Sequence, residues 1–185
     1  MPSTEPANQP RIRPATPDDV PRLVALEVRA GQLFRTAGLT QVAEHEPDPA
    51  ELLDAVTDAR AWVIVEGSED GVSSGAALRG YVVTEVLDAQ AHIAQVSVDP
   101  DHARRGLGRA LVEHAEAWGR AAGRPATTLT TFRDVAWNAP YYRRLGYRVL
   151  TEAEIGPELA STMARETTLP GMRASARCAM VKPNH

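Results

Sequence analysis

The sequence is short of cysteine, of aromatic rings, of long apolar runs and of positive charge, and each shortage excludes something. One cysteine, Cys178, stands among 185 residues. No intrachain disulfide and no cysteine cluster for a metal can therefore form. This suits a reducing compartment, and the cytoplasm is the expected location. Phe, Trp and Tyr make up only 5% of the chain, so aliphatic side chains and alanine must fill most of the core. No apolar stretch approaches the roughly 20 residues that a membrane helix needs, and no membrane span is expected. Lys and Arg number 20 against 24 Asp and Glu, a formal charge of −4. Binding along a phosphate backbone needs a cationic surface, so nucleic acid is not an expected partner. The opening MPSTEPANQP has neither the basic start nor the apolar middle of a secretory leader. Residues 1–10 read as a disordered lead-in, and 11–185 as a single domain large enough for its own core.

What is present is ordered punctuation. After a short extended segment, Thr16 reads as an N-cap, with Pro17 at the first helical position and Asp18 and Asp19 in the first turn. A broken helix and a Pro- and Asp-rich loop follow, then a second helix over roughly Pro49–Asp58. Trp62 to Val65 is β-rich, and GSEDGVSSG forms a turn. RGYVVTEVLD and AHIAQVSVDP predict two strands with a tight link. Gly106 to Ala122 predicts a helix with the stripe Leu107, Ala110, Leu111, Ala115 and Trp118, stopped by Gly123–Arg124–Pro125. TTLTTF is a strand, WNAPYYRRL a short helix ending at Gly146, and YRVLTE a strand. A helix near Pro157–Glu166 and a strand near Arg177–Val181 close the chain. Adjacent strands with short links predict antiparallel pairs, and the later strand–helix–strand units predict parallel or crossover connections. The fold class is α/β: one mixed, mostly antiparallel sheet flanked by helices. Trp62 and Trp118 read as core, and Cys178 as a small buried hydrophobe.

The stretch VDPDHARRGLGRAL, from Val98 to Leu111, concentrates glycine and positive charge at a helix start. Helix N-termini carry unpaired N–H groups and the positive end of the dipole, and a loop whose N–H groups converge forms an anion nest. With Arg104, Arg105 and Arg109 around Gly106 and Gly108, the chemistry indicated is a pyrophosphate or a similar anion. The pattern is neither a P-loop nor a dinucleotide fingerprint.

VDPDHARRGLGRALV resembles the acyl-CoA binding motif of the GCN5-related N-acetyltransferase (GNAT) family, a strand ending in V-x-P followed by (Q/R)-x-x-G-x-(G/A). Ala103 stands at the Gln/Arg position. IRPATPDDVPRLVALE is similar to that family's first strand and helix, and NAPYYRRLGYRV to its late Asn … Tyr-x-x-x-Gly-(Phe/Tyr) motif. The resemblance covers roughly Ile12 to Leu150, in the right order. It implies a sheet splayed between the fourth strand, His92–Val98, and the fifth, Thr127–Phe132, with acetyl-CoA as cosubstrate in the gap and no metal. It implies transfer of the acetyl group to an amine. The backbone of Val96 and Val98 would bond the pantetheine arm, and Arg104, Arg105, Gly106, Gly108, Arg109 and Ala110 would hold the pyrophosphate. Asn138 would stand near the cofactor arm, a plain N-cap being its other reading.

The reaction needs a base, because a lysine-like amine has a pKa of about 10.4, and an acid for the leaving thiolate. Tyr142, four positions before Gly146, is the acid candidate, with Tyr141 its confusable neighbour. His92, at the offset of a catalytic glutamate of some family members, is the first base candidate, and Glu85 the second. Gln95 can orient a water or a substrate. Glu27 and Phe34 are the substrate-side candidates, a carboxylate and an aromatic suited to a cationic amine. The acceptor is expected to be a small-molecule or peptide amine, and a homodimer is left open. A CoA-binding sensor or regulatory module without turnover is the alternative reading.

Overall fold

The chain enters through Arg11–Pro14 (β1) and turns at Thr16, whose N–H donates to Asp19 at 2.9 Å. Arg13 clamps the same carboxylate at 2.7 Å. This cap, with Pro17 behind it, launches the first helix, Val20–Gly31 (α1). A computed structural model describes residues 10–67, 77–174 and 176–184. All of the expected lead-in but Pro10, and most of the GSEDGVSSG turn, lie outside the described residues. The broken helix is a 3-10 turn over Gln32–Ala37 and a short helix, Thr40–Ala43 (α2). Pro49–Thr57 (α3) follows, with Asp48 capping Ala50 N–H at 2.8 Å.

The remaining elements are strands Ala61–Glu66 (β2), Ala77–Leu87 (β3) and Gln90–Val98 (β4), helix Leu107–Ala121 (α4), strand Ala126–Phe132 (β5), helix Ala139–Arg144 (α5), the short strand Arg148–Val149 (β6), helix Pro157–Glu166 (α6) and strand Arg177–Pro183 (β7). They form one seven-stranded sheet in the order β1-β2-β3-β4-β5-β7-β6. Every pairing is antiparallel except β4–β5. The expected crossover β5–α5–β6 is present, but β7 inserts between its two strands. Among the described residues no helix is long and apolar enough to cross a membrane.

The sheet opens where the resemblance expects. Pairing of β3 with β4 continues to Gly80 opposite Val98. Pairing of β4 with β5 is confined to Ala91, His92 and Ile93 against Thr127, Thr128 and Leu129. Beyond that row β5 stays bound to β7 as far as Phe132, so the outer halves of β4 and β5 line a wedge.

Two layers cover the sheet. On one face Val63, Val65, Tyr81 and Val83 pack under α1 and α3, against Leu23, Leu26, Leu52 and Val56. On the other, Ile64, Val82, Ile93, Leu129 and Met180 meet Leu107, Leu111 and Ala115 of α4. Cys178 is buried there, and Trp62 lies half-buried with its ring 5.1 Å from His114 and 6.0 Å from Trp118. A bulge opposite Val83 and Thr84 shifts the alternation of β4 by one residue. Past Ala94, Val96 and Val98 therefore join Ile93 on the α4 face, and Gln95 and Ser97 turn to the α1 face with His92.

Candidate active site

The inner wall of the wedge is the free edge of β4. Asp99 N–H donates to Arg79 O on β3 at 2.8 Å. Successive residues of a strand turn their amides to opposite edges. The N–H and C=O of Val98 and Val96 thus face away from β3 and into the gap. An extended arm laid there would find the bonding edge of a missing strand.

At the mouth of the wedge the chain turns into α4. Arg104 has φ +62° and Gly106 φ +80°. Ala103 before them is extended, and Gly106 is followed directly by the right-handed first turn of α4, a left-handed–right-handed step that turns successive N–H groups to one side. Gly106 carries this conformation without the cost a side chain would add, and the first-turn amides of α4 follow it. Gly108 is open towards the Val98 side chain and the Tyr141 hydroxyl, and Ala110 packs half-buried against the same core cluster as Val96 and Val98. The cradle fits a pyrophosphate at the end of an extended arm.

The three arginines of this loop stand in three different situations. Arg104 is exposed, with no ion partner among the described residues. Arg105 reaches back to the buried Glu66 at 2.7 Å. Arg109 pairs with Glu113 at 2.7 Å along the exposed face of α4, a pair weak enough to exchange for another anion.

The two tyrosines separate. Tyr142 packs half-buried in the cluster that holds Val96, Val98 and Ala110, edge-on to Tyr147. Burial pushes its phenol well above the ordinary value, with Tyr141 adding to the shift. Tyr141 instead directs its hydroxyl to Gly108 and feels Arg109 and Arg144. Asn138 makes no side-chain cap on α5. Its Nδ2 donates to Thr131 Oγ1 on β5 at 2.7 Å, which pins it at the far wall of the wedge.

On the α1 face, Glu85, His92 and Thr128 form one cross-strand row. His92 is 1% exposed, with Nδ1 2.8 Å from Thr128 Oγ1. Thr128 Oγ1 also donates to Ala91 O at 3.2 Å, so Nδ1 carries the hydrogen to Thr128. Burial lowers the imidazole to about 4, which keeps it neutral at physiological pH. Glu85 is half-buried, and burial raises its carboxyl against the pull of Arg165 and Arg60. Phe34 lies edge-on to Phe132 at 5.5 Å and near Trp137 at 6.0 Å, in a small aromatic cluster beside the end of β5. Glu27 accepts a hydrogen bond from the fully buried Tyr81, and Gln95 and Ser97 bond to the same pair. Tyr81 and Ser97 were not foreseen from sequence, because GYVV reads as plain core. Their signal was the period-two placement of Tyr81 with Val83 and Glu85. Among the described residues no group of three or more His, Cys, Asp or Glu side chains is placed to hold a metal.

Comparison with known proteins agrees with this geometry. The profile of the acetyltransferase (GNAT) family matches residues 31–147. The ribosomal protein bS18-alanine N-acetyltransferase of Escherichia coli (strain K12) is 29% identical over 80 residues, covering 38% of this chain and 54% of that protein. The chain thus spans about half the length of the curated relatives it matches. The crystal structure of the ribosomal-protein-S18-alanine N-acetyltransferase from Escherichia coli superposes with a TM-score of 0.63 at 19% identity, covering 95% of this chain and 94% of that one. N-acetylglutamate synthase from Neisseria gonorrhoeae, complexed with coenzyme A and N-acetyl-glutamate, gives 0.67 at 19% identity, over 96% of this chain and 35% of that one. At such identities the structural likeness speaks for the fold, and the family rests on the profile match. The chain belongs to the GNAT acetyltransferase family.

Proposed function

We propose that this chain is an N-acetyltransferase that moves an acetyl group from acetyl-CoA to a primary amine by direct attack in a ternary complex. The observation that carries the reading is the continuity of the open β4 edge at Val96 and Val98 with the left-handed loop at Arg104 and Gly106. A single extended ligand with a pyrophosphate end matches both parts at once. Acetyl-CoA supplies the activated acetyl group, as a thioester.

The chain's own groups divide the remaining work. The Val96 and Val98 backbones bind the pantetheine arm, and an N–H of this edge faces the thioester oxygen as a preorganised donor. Arg104, the backbone from Arg105 to Ala110 and, once released from Glu113, Arg109 hold the pyrophosphate. Asn138, fixed by Thr131, stands beside the arm. Tyr142 keeps its proton at every pH of interest and delivers it to the departing thiolate.

The acceptor approaches over the α1 face. The relatives act on, or are complexed with, amino-acid-derived groups: an alanine of bS18 in one, N-acetyl-glutamate in the other. An α-amino group, with a pKa of about 8, needs far less help to shed its proton than a lysine amine does. We assign the acceptor to that class, an amino acid or a peptide N-terminus. The test is calorimetric titration with CoA and acetyl-CoA, followed by thiol release with an alanine-initiated peptide, free amino acids and spermidine. Binding and release with an α-amine are expected. Absence of acetyl-CoA binding would overturn the reading, and binding without release would favour the sensor.

A further inference from the structure

The row of Glu85, His92 and Thr128 lies where β4 and β5 are still paired. It therefore sits on the closed side of the wedge, and His92 there is almost wholly covered. The open side begins past Ile93. Its first two rows on the α1 face are Val83 with Gln95 and Tyr81 with Ser97. These rows alternate along β4 with Val96 and Val98, whose amides face the gap. Any group that meets an acceptor nitrogen attacking across this edge must come from the layer above Gln95 and Ser97. That layer is α1, which sends Glu27 down to Tyr81 and Gln95 and Arg29 to Asp99 at the end of β4; Glu27 is the carboxylate among them.

Glu27 sits amid apolar packing. Leu23, Leu26, Val83, Leu52 and Val56 surround this part of the core, and Val24 packs against it. A carboxylate placed there costs stability unless it is paired or used. It accepts from the Tyr81 hydroxyl and from Gln95, and Gln95 Nε2 also donates to Ser97 Oγ at 3.3 Å. Tyr81 from β3, and Gln95 and Ser97 from β4, are the polar groups in this knot. Unlike His92 and Tyr81, Glu27 keeps part of its surface open to solvent. It is held, aimed and reachable.

We propose that Glu27 is the general base of this site, its carboxylate taking the proton that the acceptor amine sheds as it is acetylated. This rests on the acetyltransferase reading above. The nitrogen bonds to the acetyl carbon and the carbon–sulfur bond breaks. The amine proton passes to Glu27, directly or through one water, and the thiolate takes a proton from Tyr142. Glu27 then returns its proton to solvent and Tyr142 regains one. Burial raises the Glu27 carboxyl, and the hydrogen bonds from Tyr81 and Gln95 pull it partly back. A carboxylate raised in this way is a better match for an α-amino group than one in water.

Glu27→Gln keeps the shape and can still accept from Tyr81. With an alanine-initiated peptide as acceptor it should lose about 100-fold in kcat, and with it the acidic limb of the pH–rate profile, while acetyl-CoA binding stays within about two-fold. Hydroxylamine, already neutral at pH 7, should lose much less. Tyr81→Phe removes a donor to the charged carboxylate and should move the acidic limb to higher pH. Without any ligand, wild type should lose stability relative to Glu27→Gln as pH rises from 4.5, because the folded carboxyl holds its proton more tightly than the unfolded one. A Glu27→Gln enzyme that keeps its rate and its acidic limb overturns the base and leaves the acetyltransferase intact. A fall in rate matched by an equal fall in acetyl-CoA binding also overturns it. A wild-type chain that binds no acetyl-CoA overturns both readings.

Discussion

Arg105 and Glu66 form a two-pronged ion pair between the entry loop of α4 and strand β2, with Nη2–Oε1 at 2.7 Å and Nη1–Oε2 at 3.1 Å. Arg79 from β3 adds Nε–Oε2 at 3.1 Å. Glu66 is buried whereas Arg105 is exposed along much of its length. The pair therefore ties the turn to the sheet, and its value lies in holding the loop's shape. Glu66→Gln should cost about 1–2 kcal/mol of stability, a charged hydrogen bond discounted for Arg105's exposure. It should also weaken acetyl-CoA roughly ten-fold, about 1.4 kcal/mol, as the nest relaxes. Arg104→Ala should weaken acetyl-CoA with little change in stability. Calorimetry and urea unfolding read both effects, and a Glu66→Gln chain with unchanged affinity would mean that the loop holds itself.

His92 makes a prediction about stability that does not depend on its catalytic role. Its folded pKa, about 4, lies below the ordinary 6.5, so the unfolded chain binds the extra proton first. Its contribution is fully present above pH 6.5 and is lost as pH falls towards 4. The shift corresponds to at most about 3 kcal/mol. His92→Gln should flatten that part of the curve, read as the difference between wild type and variant in urea midpoints from pH 4 to 7. Parallel curves would show that the imidazole charges without unfolding the row.

The elements were legible where single residues punctuate them. Pro157 after Gly156 marks the start of α6, and Gly123–Arg124–Pro125 the end of α4. Strand order was less legible, because β7 is drawn between β5 and β6 by distant contacts such as Lys182 on Glu116 at 2.8 Å. Glu116 itself, a charged residue on the buried stripe of α4, also accepts from Tyr147 at 3.0 Å, and its partners are too remote in sequence to be inferred. The loop into α4 was legible because glycine and arginine crowd it locally. That Arg105 is already engaged was not, since Glu66 lies 39 residues away. On the α1 face one bulge decides the arrangement. Simple alternation would set His92 on the face of Val96 and Val98. The extra residue at Ala94 puts it instead with Gln95 and Ser97, and leaves Glu27 above the open rows.

Tyr141 and Tyr142 should divide binding from chemistry. Tyr142 packs against the same cluster as Val96 and Val98, which the proposed binding mode places at the reacting end of the arm, and Tyr141 faces Gly108, which it places at the pyrophosphate end. Tyr142→Phe should lower kcat by about 100-fold or more, within the range for loss of a general acid, and spare acetyl-CoA affinity. Tyr141→Phe should raise the KM for acetyl-CoA a few-fold with kcat nearly intact. Steady-state kinetics on both variants decide the matter, and the reverse pattern would exchange the two roles.

Gly156 and Asp88 should show a substitution whose sign depends on its neighbour. Asp88, in the two-residue turn between β3 and β4, accepts from the N–H groups of Glu158 at 3.0 Å and Leu159 at 2.9 Å and so caps α6 from 70 residues away. A Cβ on Gly156 would fall on that carboxylate. The backbone of Gly156, at φ −73° and ψ 168°, is open to alanine. Gly→Ala at a permitted position stabilises by about 0.4–1 kcal/mol through the unfolded chain, and losing an acidic cap costs about 1–2 kcal/mol. In the wild-type chain the lost cap wins, and Gly156→Ala should be neutral to destabilising. In an Asp88→Ala background there is no cap left to displace, so the same change should stabilise. Urea unfolding of the four chains of this cycle measures the difference. Equal effects of Gly156→Ala in both backgrounds would mean that Asp88 moves aside and keeps its bonds.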